Sequence, residues 1–343
     1  MPIYHLIIFF TSIIFCLLLI IPTRKYAIKK QILDYPDEIR KFQKTAVPYL
    51  GGVAIIITSF TIFSLAFFYL IEKNLVQNTN PTILVPLLLM LGILGHIDDL
   101  YNLSIKLRIF IQIVIAFAIT TAFASQNSLV LIFDNNFLNI LVSTFWIIML
   151  INAINFIDNT DAAAAGSVII ICTGLLLISL SENQLIVSTA TTIIIGSSLG
   201  FLFWNWPPAR IYLGDSGALF LGGIVALISI KADSLEKSRI NSIVIILTIF
   251  AFPILDLLIA VISRILKRQS PFKSGSDHFS HRLIRLGFSK LKAVYIVFMV
   301  NLYFVASGVL IYYLKGPSII LLSVINLLVF LVLLLKFLSI RMV

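Results

Sequence analysis

The amino-acid sequence predicts an all-α, polytopic integral membrane protein, and three observations support this fold class: composition, long apolar runs and one-sided basic loops. Of the 343 residues, 60% are hydrophobic and only 12% are charged, and the mean hydropathy is +1.07. A soluble domain of this size could not cover so much apolar surface, whereas a lipid bilayer requires no such cover. The composition therefore excludes an ordinary soluble domain.

Apolar runs of about 17–25 residues are long enough for a helix to cross a hydrocarbon core of ~30 Å. Eleven such runs predict about 11 transmembrane helices, with 10 as the alternative count. The runs are 4–22, 50–71, 82–97, 107–124, 133–151, 162–180, 185–203, 216–231, 241–266, 291–314 and 317–340. No basic segment precedes the first run, which predicts a retained anchor rather than a cleaved signal peptide. Cys16 and Cys172 fall inside runs, which favours packing over a disulfide.

The basic residues predict the orientation of the helices. With the N-terminus placed outside, most of the 25 lysines and arginines fall in inner loops. Because such loops stay in the cytoplasm, we expect an outer N-terminus and a cytoplasmic C-terminus. Basic residues such as Arg24 and Lys25 then orient the chain beside anionic lipid, and the net charge of +10 requires no nucleic-acid partner. No loop is long enough for a further domain, so we expect residues 1–343 to form a single domain.

Most of the aspartates fall on the predicted inner side, although the rule for basic residues does not require this. Short carboxylates on the phosphate-rich side favour a divalent-cation site, because Mg²⁺ prefers hard oxygen ligands. Asp34, Asp37 and Glu38 lie in a polar loop beside lysines, and we interpret them as solvated surface. Asp98 and Asp99 end an apolar run, where two adjacent carboxylates repel each other unless a cation neutralises them. This pair predicts a functional site.

The segment after the fifth run carries amides and carboxylates on one helical face. Asn152, Asn155 and Asp158 are spaced to share that face, with Asn159 beside them. Such a ladder suits uracil, ribose or a metal, and the alternative is a helix end whose polar groups reach the membrane interface. Asp215 lies in a glycine-flanked turn before the eighth run. It is either a helix N-cap or a metal ligand beside backbone N–H groups that bind phosphate, and one carboxylate could serve both.

The largest inner loop contains two of the four histidines, His278 and His281, next to Arg282. Neutral imidazoles beside a guanidinium suit phosphate binding or proton handling. Asp256, inside the ninth run, lies about two turns before Arg264. The sequence leaves open whether these two residues form a structural ion pair or belong to a site.

Five motif segments, in order along nearly the whole chain, resemble the polyprenyl-phosphate N-acetylhexosamine-1-phosphate transferases of glycosyltransferase family 4. The segments are 41–52, 98–106 with Gln112, 152–161, 214–217 and 277–283. Three positions depart from the family pattern. Ala162 stands where the family has a glycine, Ser280 replaces the middle histidine of its histidine motif, and Gln43 replaces another frequent histidine. We nevertheless expect activity, because His278 and His281 remain.

The resemblance implies transfer of a HexNAc-1-phosphate, most closely GlcNAc-1-phosphate, from a UDP-sugar to undecaprenyl phosphate, with release of UMP. It implies Mg²⁺, with Mn²⁺ as the alternative cofactor. The setting is the bacterial cytoplasmic membrane, with the site on the cytoplasmic face. The product would start O-antigen, teichoic acid or a related cell-wall polysaccharide. The alternative within the family is the phospho-N-acetylmuramoyl-pentapeptide transferase branch, whose histidine loop is less similar. The sequence also allows a homodimer.

The resemblance also implies residue roles. The catalytic residues are Asp98, Asp99, Asp215, His278 and His281, with Asp98 as proton acceptor if one is needed. The substrate-binding residues are Lys44, Lys106, Asn152, Asn155, Asp161 and Arg282. The metal ligands are Asp99, Asp158 and Asp215. Two other classes compete with this assignment. An ion or solute transporter would place acids near the membrane midplane in an internal repeat, which is not evident. A non-catalytic scaffold would not need to retain every aspartate.

Overall fold

The computed structural model describes residues 2–35, 46–75, 84–124, 133–232, 238–271, 275 and 277–340. The helices in these ranges are α1 (Pro2–Lys29), α2 (Gly51–Glu72), α3 (Leu84–Tyr101), α4 (Ile105–Ala124), α5 (Asn136–Ile157), α6 (Ala163–Ser181), α7 (Leu185–Asn205), α8 (Gly214–Ala232), α9 (Arg239–Ile249), α10 (Ala251–Leu266), α11 (Phe279–Arg285), α12 (Lys290–Tyr313) and α13 (Pro317–Ser339). The strands β1 (Leu33–Asp34) and β2 (Val47–Pro48) pair antiparallel. The prediction of an all-α polytopic membrane protein is confirmed.

Each predicted apolar run coincides with a helix, except that the ninth forms two. The axes of α9 and α10 differ by 65°, and Phe250 separates the two helices. Pro253 lies in the first turn of α10, where the N–H that proline lacks has no partner within the helix. Within the described residues, nine helices are long and apolar enough to span a membrane, or ten if the bent pair counts as one span. The predicted count of 11 and the predicted orientation of the termini stay predictions.

The helices differ strongly in how far the protein encloses them. In the most apolar stretch of α8, 83% of the residues are buried, compared with 6% in α13. Small residues let neighbouring backbones approach α8 closely: a Cβ on Gly222 would lie 2.6 Å from the Cα of Ile151 in α5. Because α8 lies at the centre of the bundle, a group at its N-terminus can be reached from α2, α3 and α5.

Two sequence motifs meet at the N-terminus of α8. The first two N–H groups of α2, those of Gly51 and Gly52, donate to the carbonyls of Tyr212 and Leu213 at 2.9 Å each. A Cβ on Gly52 would lie 2.2 Å from the backbone nitrogen of Gly217. The close contact between α2 and α8 therefore needs the paired glycines at the end of the segment 41–52 and Gly217 in the segment 214–217. Both cysteines are buried and free, as predicted.

Candidate functional site

Asp99, near the end of α3, caps the N-terminus of α8. Its Oδ1 accepts the N–H of Asp215 at 2.8 Å, and its Oδ2 accepts the N–H of Ser216 at 3.2 Å. A carboxylate is favourable there because the N–H groups and the helix dipole both present positive charge. Gly214 has a φ of +74°, and a Cβ on it would lie 2.7 Å from Asp99 Oδ2. Asp215 is therefore not the N-cap, and the helix end holds Asp99 rather than standing open to phosphate.

Asp98 is bound on both carboxylate oxygens. Its Oδ1 accepts the N–H of Leu103 at 2.7 Å, and its Oδ2 accepts from Arg108 Nη1 at 2.7 Å. The same Nη1 lies 3.5 Å from Asp215 Oδ2. Arg108, which is 18% exposed, is not among the residues that the sequence motifs single out. The sequence does contain a signal for its role, because Arg108 lies in the first turn of the helix that follows the two aspartates. Lys106, two residues earlier, is exposed.

The two asparagines at the end of α5 have different partners. Asn155 Nδ2 donates to Asp215 Oδ1 at 2.5 Å and so orients that carboxylate. Asn152 Nδ2 instead donates to Gln112 Oε1 of α4 at 2.8 Å. Asn155 therefore belongs to the candidate site, whereas Asn152 in this geometry joins α5 to α4. We call Asp98, Asp99, Asp158 and Asp215, together with Arg108 and Asn155, the carboxylate cluster.

Asp158 is the least compensated acid of the carboxylate cluster. It caps the C-terminus of α5, and no donor among the described residues reaches its carboxylate. Burial raises the pKa of the Asp158 carboxyl well above its usual range, and the negative charges of Asp215, Asp99 and Asp161 raise it further. An added cation would relieve this repulsion.

A cavity of about 230 Å³ opens beside Asp158. Its lining includes Asp34, Tyr49, Asp158, Asn159, Thr160, Asp161, Asn205, Pro207, Tyr212, His281, Ile284, Lys290 and Val294. Asp161 Oδ2 accepts the N–H of Ala209 at 3.0 Å, which fixes this carboxylate on the cavity wall. The cavity places Asp158, Asp161 and His281 together, as a binding site for one ligand would require.

The interpretation of Asp34 as solvated surface is wrong. Asp34 is 8% exposed, and its Oδ1 accepts the hydroxyl of Tyr49 at 2.5 Å. The cause is the antiparallel pairing of Asp34 in β1 with Val47 in β2, which places the aspartate on the cavity wall. Burial, followed by the hydrogen bond and the charge of Asp34, raises the pKa of Tyr49. Sequence periodicity could not reveal two strands of two residues each.

Ala162 adopts a backbone conformation that favours glycine. Its φ is +66°, in the left-handed region that costs an L-residue roughly 1–2 kcal/mol. Asn205 holds the turn: its Oδ1 accepts the N–H of Ala162 at 2.8 Å, and its Nδ2 donates to the carbonyl of Ile211 at 2.9 Å. Ala162 therefore occupies a left-handed turn that Asn205 stabilises.

Asp256 pairs with His278, and Arg264 pairs with Asp277. Asp256 Oδ2 lies 2.9 Å from His278 Nδ1, and Asp256 Oδ1 accepts the N–H of Phe279 at 2.7 Å. Arg264 Nε lies 3.4 Å from Asp277 Oδ2. The ion pair considered from the sequence, between Asp256 and Arg264, is replaced by these two pairs because His278 lies between their side chains.

Arg282 anchors α11 to neighbouring helices. Its guanidinium donates to the carbonyls of Phe337 and Ile340 at the end of α13, to Ser263 Oγ and to the carbonyl of Asp277. The side chain is 1% exposed, and burial lowers its pKa. A cation is favourable at a helix C-terminus, where carbonyls lack partners. These contacts do not support the phosphate-binding role predicted for Arg282.

The remaining assignments concern Lys44 and the metal. Lys44 lies outside the described residues. Among the residues that the structure describes, no three Asp, Glu, His or Cys side chains form a ready-made metal site. The donor chemistry nevertheless suits Mg²⁺, since Asp99, Asp158 and Asp215 are neighbouring carboxylates that repel one another.

Comparison with known proteins identifies the family. A model of glycosyl transferase family 4 matches residues 81–233. A probable undecaprenyl-phosphate N-acetylglucosaminyl 1-phosphate transferase of Bacillus subtilis (strain 168) is 31% identical over 307 residues, which cover 88% of this chain and 83% of that protein. The chain belongs to glycosyl transferase family 4.

Two further relatives have names that give different transferred groups. An undecaprenyl-phosphate alpha-N-acetylglucosaminyl 1-phosphate transferase of Thermotoga maritima is 27% identical over 280 residues, 81% of each chain. A phospho-N-acetylmuramoyl-pentapeptide-transferase of Lactobacillus gasseri is 31% identical over 275 residues, 76% of this chain and 83% of that protein. The resemblance inferred from the motifs is confirmed. The matched range 81–233 contains every aspartate of the carboxylate cluster.

Proposed function

We propose that the protein transfers GlcNAc-1-phosphate from UDP-GlcNAc to undecaprenyl phosphate at the cytoplasmic face of the bacterial inner membrane. An oxygen of the lipid phosphate attacks the β-phosphorus of the nucleotide-sugar. The bond between the β-phosphorus and the bridging oxygen breaks, and UMP leaves with the electron pair. The product is a lipid-linked diphospho-sugar that starts a cell-surface glycan.

One observation carries this proposal: the carboxylate cluster and the cavity meet at Asp158, in a chain that matches a named GlcNAc-1-phosphate transferase over 88% of its length. Phosphoryl transfer depends mainly on positioning and charge neutralisation rather than on covalent help from the protein. The cavity supplies a place for the nucleotide-sugar, and the carboxylate cluster would hold a metal ion whose positive charge neutralises phosphate.

The side chains around the reacting phosphates have distinct tasks in this proposal. Asp98 orients Arg108, since both of its carboxylate oxygens are already bound. Arg108 can then donate to a phosphate oxygen, because its Nε is buried without a partner in the described part of the chain. A phosphate monoester is largely dianionic at neutral pH, its second pKa being near ~6. A protein base that activates the nucleophile is therefore not required.

Asp99, Asp158 and Asp215 would hold Mg²⁺, with Mn²⁺ as the alternative. When bound, the ion would neutralise charge on the diphosphate of the nucleotide-sugar. Asn155 supports this role by orienting Asp215 through the bond at 2.5 Å. Asp99 contributes while it caps α8, because each carboxylate oxygen has more than one lone pair.

A second candidate is transfer of phospho-N-acetylmuramoyl-pentapeptide to the same lipid. It is favoured by the similarity to the Lactobacillus gasseri relative, which reaches 31% identity but over a shorter part of the chain. Both candidates use the same chemistry and differ in the sugar that the cavity must admit.

The test is a product mass. Purified protein in detergent with undecaprenyl phosphate is offered UDP-GlcNAc, other UDP-HexNAc donors and UDP-MurNAc-pentapeptide in one mixture. We expect the mass of undecaprenyl diphosphate-HexNAc and release of UMP, and we expect EDTA to abolish both and Mg²⁺ to restore them. A muramoyl-pentapeptide product would favour the second candidate. No product from any donor, from protein that remains folded, would refute both.

A further inference from the structure

His278 and His281, the two loop histidines that the sequence singles out, have different surroundings in the structure: His278 has partners on both ring nitrogens, whereas His281 lines the cavity. We propose that Asp256, His278 and Ser280 are positioning residues that fix α11 and so hold His281, which the family resemblance already implicates in the reaction, against the bound nucleotide-sugar. The proposal rests on the proposed function, because it assigns the cavity to the nucleotide-sugar. It divides a histidine pair that sequence reasoning treated as one catalytic unit.

His278 has no ring nitrogen left for a substrate. Its Nε2 lies 3.3 Å from Arg264 Nη2, and a guanidinium can only donate hydrogen bonds. The Nε2 must therefore accept, so the ring is neutral and carries its proton on Nδ1. That proton is donated to Asp256 Oδ2 at 2.9 Å. With both nitrogens bound and 4% of the residue exposed, His278 is a structural imidazole.

Asp256 fixes the start of α11 as well as the ring of His278. Its second oxygen accepts the N–H of Phe279, the first residue of α11, at 2.7 Å. Arg264 lies over the ring of Phe156 at 5.0 Å, and the same ring meets His278 edge-on at 5.2 Å. The helix that carries His281 is therefore attached to the end of α5, two residues before Asp158.

Ser280 supplies a second attachment. Its Oγ donates to Asn159 Oδ1 at 2.5 Å, and Asn159 lines the cavity. Ser280 is 3% exposed. The serine that departs from the family's histidine motif thus serves to hold α11 against the α5–α6 turn. We call the Asp256–His278 and Asn159–Ser280 pairs the α11 clamp.

His281 lies nearly one turn after His278, at the spacing that places both on neighbouring parts of one helical face. The structure gives it a different environment, because it lines the cavity. Its Nδ1 is buried and has no hydrogen-bond partner among the described residues. A buried polar atom without a partner on a cavity wall is one that a bound ligand would satisfy. The diphosphate or the sugar hydroxyls of a nucleotide-sugar offer suitable groups.

The decisive experiment is a set of double-mutant cycles with the dissociation constant for UDP-GlcNAc as the readout, measured by calorimetry on full-length protein. In the wild-type background we expect Asp256→Asn to weaken binding by about 10-fold and Ser280→Ala to weaken it by about 3-fold. In the His281→Ala background we expect neither substitution to weaken binding by more than about 1.5-fold. Such a result would show that the α11 clamp affects binding through His281. Equal effects in both backgrounds, or unchanged binding in His281→Ala, would overturn the proposal.

Matched controls exclude a general loss of stability. Ser242→Ala removes another buried serine, in α9, and Glu182→Gln removes a carboxylate that pairs with Tyr312 at the other end of the bundle. We expect both variants to bind UDP-GlcNAc like the wild type. Weakening of the same size in these controls would show that the effects of the clamp variants are not specific, and would count against the proposal.

A spectroscopic measurement tests the clamp without reference to activity or binding. Protein labelled with ¹⁵N at histidine has four imidazoles, and the His278 signals are those lost in His278→Gln. We expect wild-type His278 to show a protonated Nδ1 and an unprotonated Nε2, and Asp256→Asn to alter that pattern. An Nε2-protonated ring in the wild type would refute the clamp. Failure of the transferase assay with an intact His278 signal would refute the proposed function instead.

Discussion

The carboxylate cluster and the α11 clamp adjoin at Asp158, which belongs to the cluster, and Asn159, which belongs to the clamp, yet the two groups balance charge in different ways. Beside the clamp, the buried acid Asp277 faces Arg264 at 3.4 Å and Lys267 at 3.5 Å. In the carboxylate cluster, Arg108 is shared between Asp98 and Asp215, and Asp158 has no donor among the described residues. Matched charges hold a structure together, whereas unmatched charges mark the place where a ligand completes the balance. The difference separates residues for folding from residues for chemistry.

The largest expected effects come from one substitution in each region. A substitution in the carboxylate cluster should lower activity, and a substitution beside the α11 clamp should lower stability. Asp215→Asn should lower GlcNAc-1-phosphate transfer by at least about 100-fold, as the loss of an electrostatic group in a site does. Its thermal unfolding temperature should not fall, because one repelling carboxylate is neutralised. Arg264→Leu should instead cost about 3 kcal/mol of stability, because Asp277 loses its buried partner and keeps only Lys267, whose side chain is 37% exposed. Transfer assays and thermal unfolding in detergent give both quantities, and the reverse pattern would break the comparison.

Arg108 tests whether the cluster's shared cation serves the substrate. We expect Arg108→Ala to lower transfer by about 30-fold, since charge-assisted bonds to phosphate are among the stronger hydrogen bonds. Arg108→Lys should be more active than Arg108→Ala but less active than the wild type. Lysine keeps the positive charge but cannot donate to two acceptors through a planar guanidinium. Lys25→Ala, at an exposed lysine assigned to orientation, is the matched control. Equal losses for Lys25→Ala and Arg108→Ala would contradict the assignment.

The pH dependence of stability should have opposite signs at His281 and Asp158. Burial lowers the pKa of His281 to about 4, so the folded protein binds fewer protons than the unfolded chain between about pH 4 and 6.5. Stability should therefore fall as the pH falls through that window, by at most about 3 kcal/mol. The raised pKa of Asp158 has the opposite effect, because its contribution to stability falls as the pH rises above about 4.

Thermal unfolding of three proteins between pH 4.5 and 8 measures these two contributions. His281→Gln should show a smaller loss of stability on the acid side than the wild type, and Asp158→Asn should be more stable than the wild type at neutral pH. Parallel curves for all three proteins would contradict both signs.

The smallest effect concerns the turn between the cluster and the clamp. Ala162→Gly should raise stability by up to about 1 kcal/mol, because glycine removes the strain at φ +66° at some cost in unfolded-state entropy. Ala165→Gly, inside α6, is the matched control and should lower stability by about 1 kcal/mol. Chemical denaturation in detergent distinguishes the two. A loss of stability in Ala162→Gly would mean that Asn205 does not hold a strained turn.

Sequence patterns predicted the membrane class and the segments that meet at the site, because both depend on local properties. Hydropathy located the helices, and the motif at 98–99 located two aspartates that the structure brings to the end of α8. The patterns did not predict which side chain each acid would meet. The burial of Asp34 escaped these patterns because it depends on the pairing of two strands of two residues each and on Tyr49, fifteen residues away. Arg108 was overlooked because an inner-loop arginine ordinarily serves orientation.

The sequence by itself determined that this chain is an all-α membrane protein of glycosyl transferase family 4, since apolar run length and motif order are properties of the chain. Tertiary structure alone decided that Asp99 caps α8, that Arg282 holds α13, and that of the two loop histidines His281 faces the cavity. The physical reason is that a side chain's role depends on which groups lie within about 3 Å of it. Those groups come from helices far apart in the sequence.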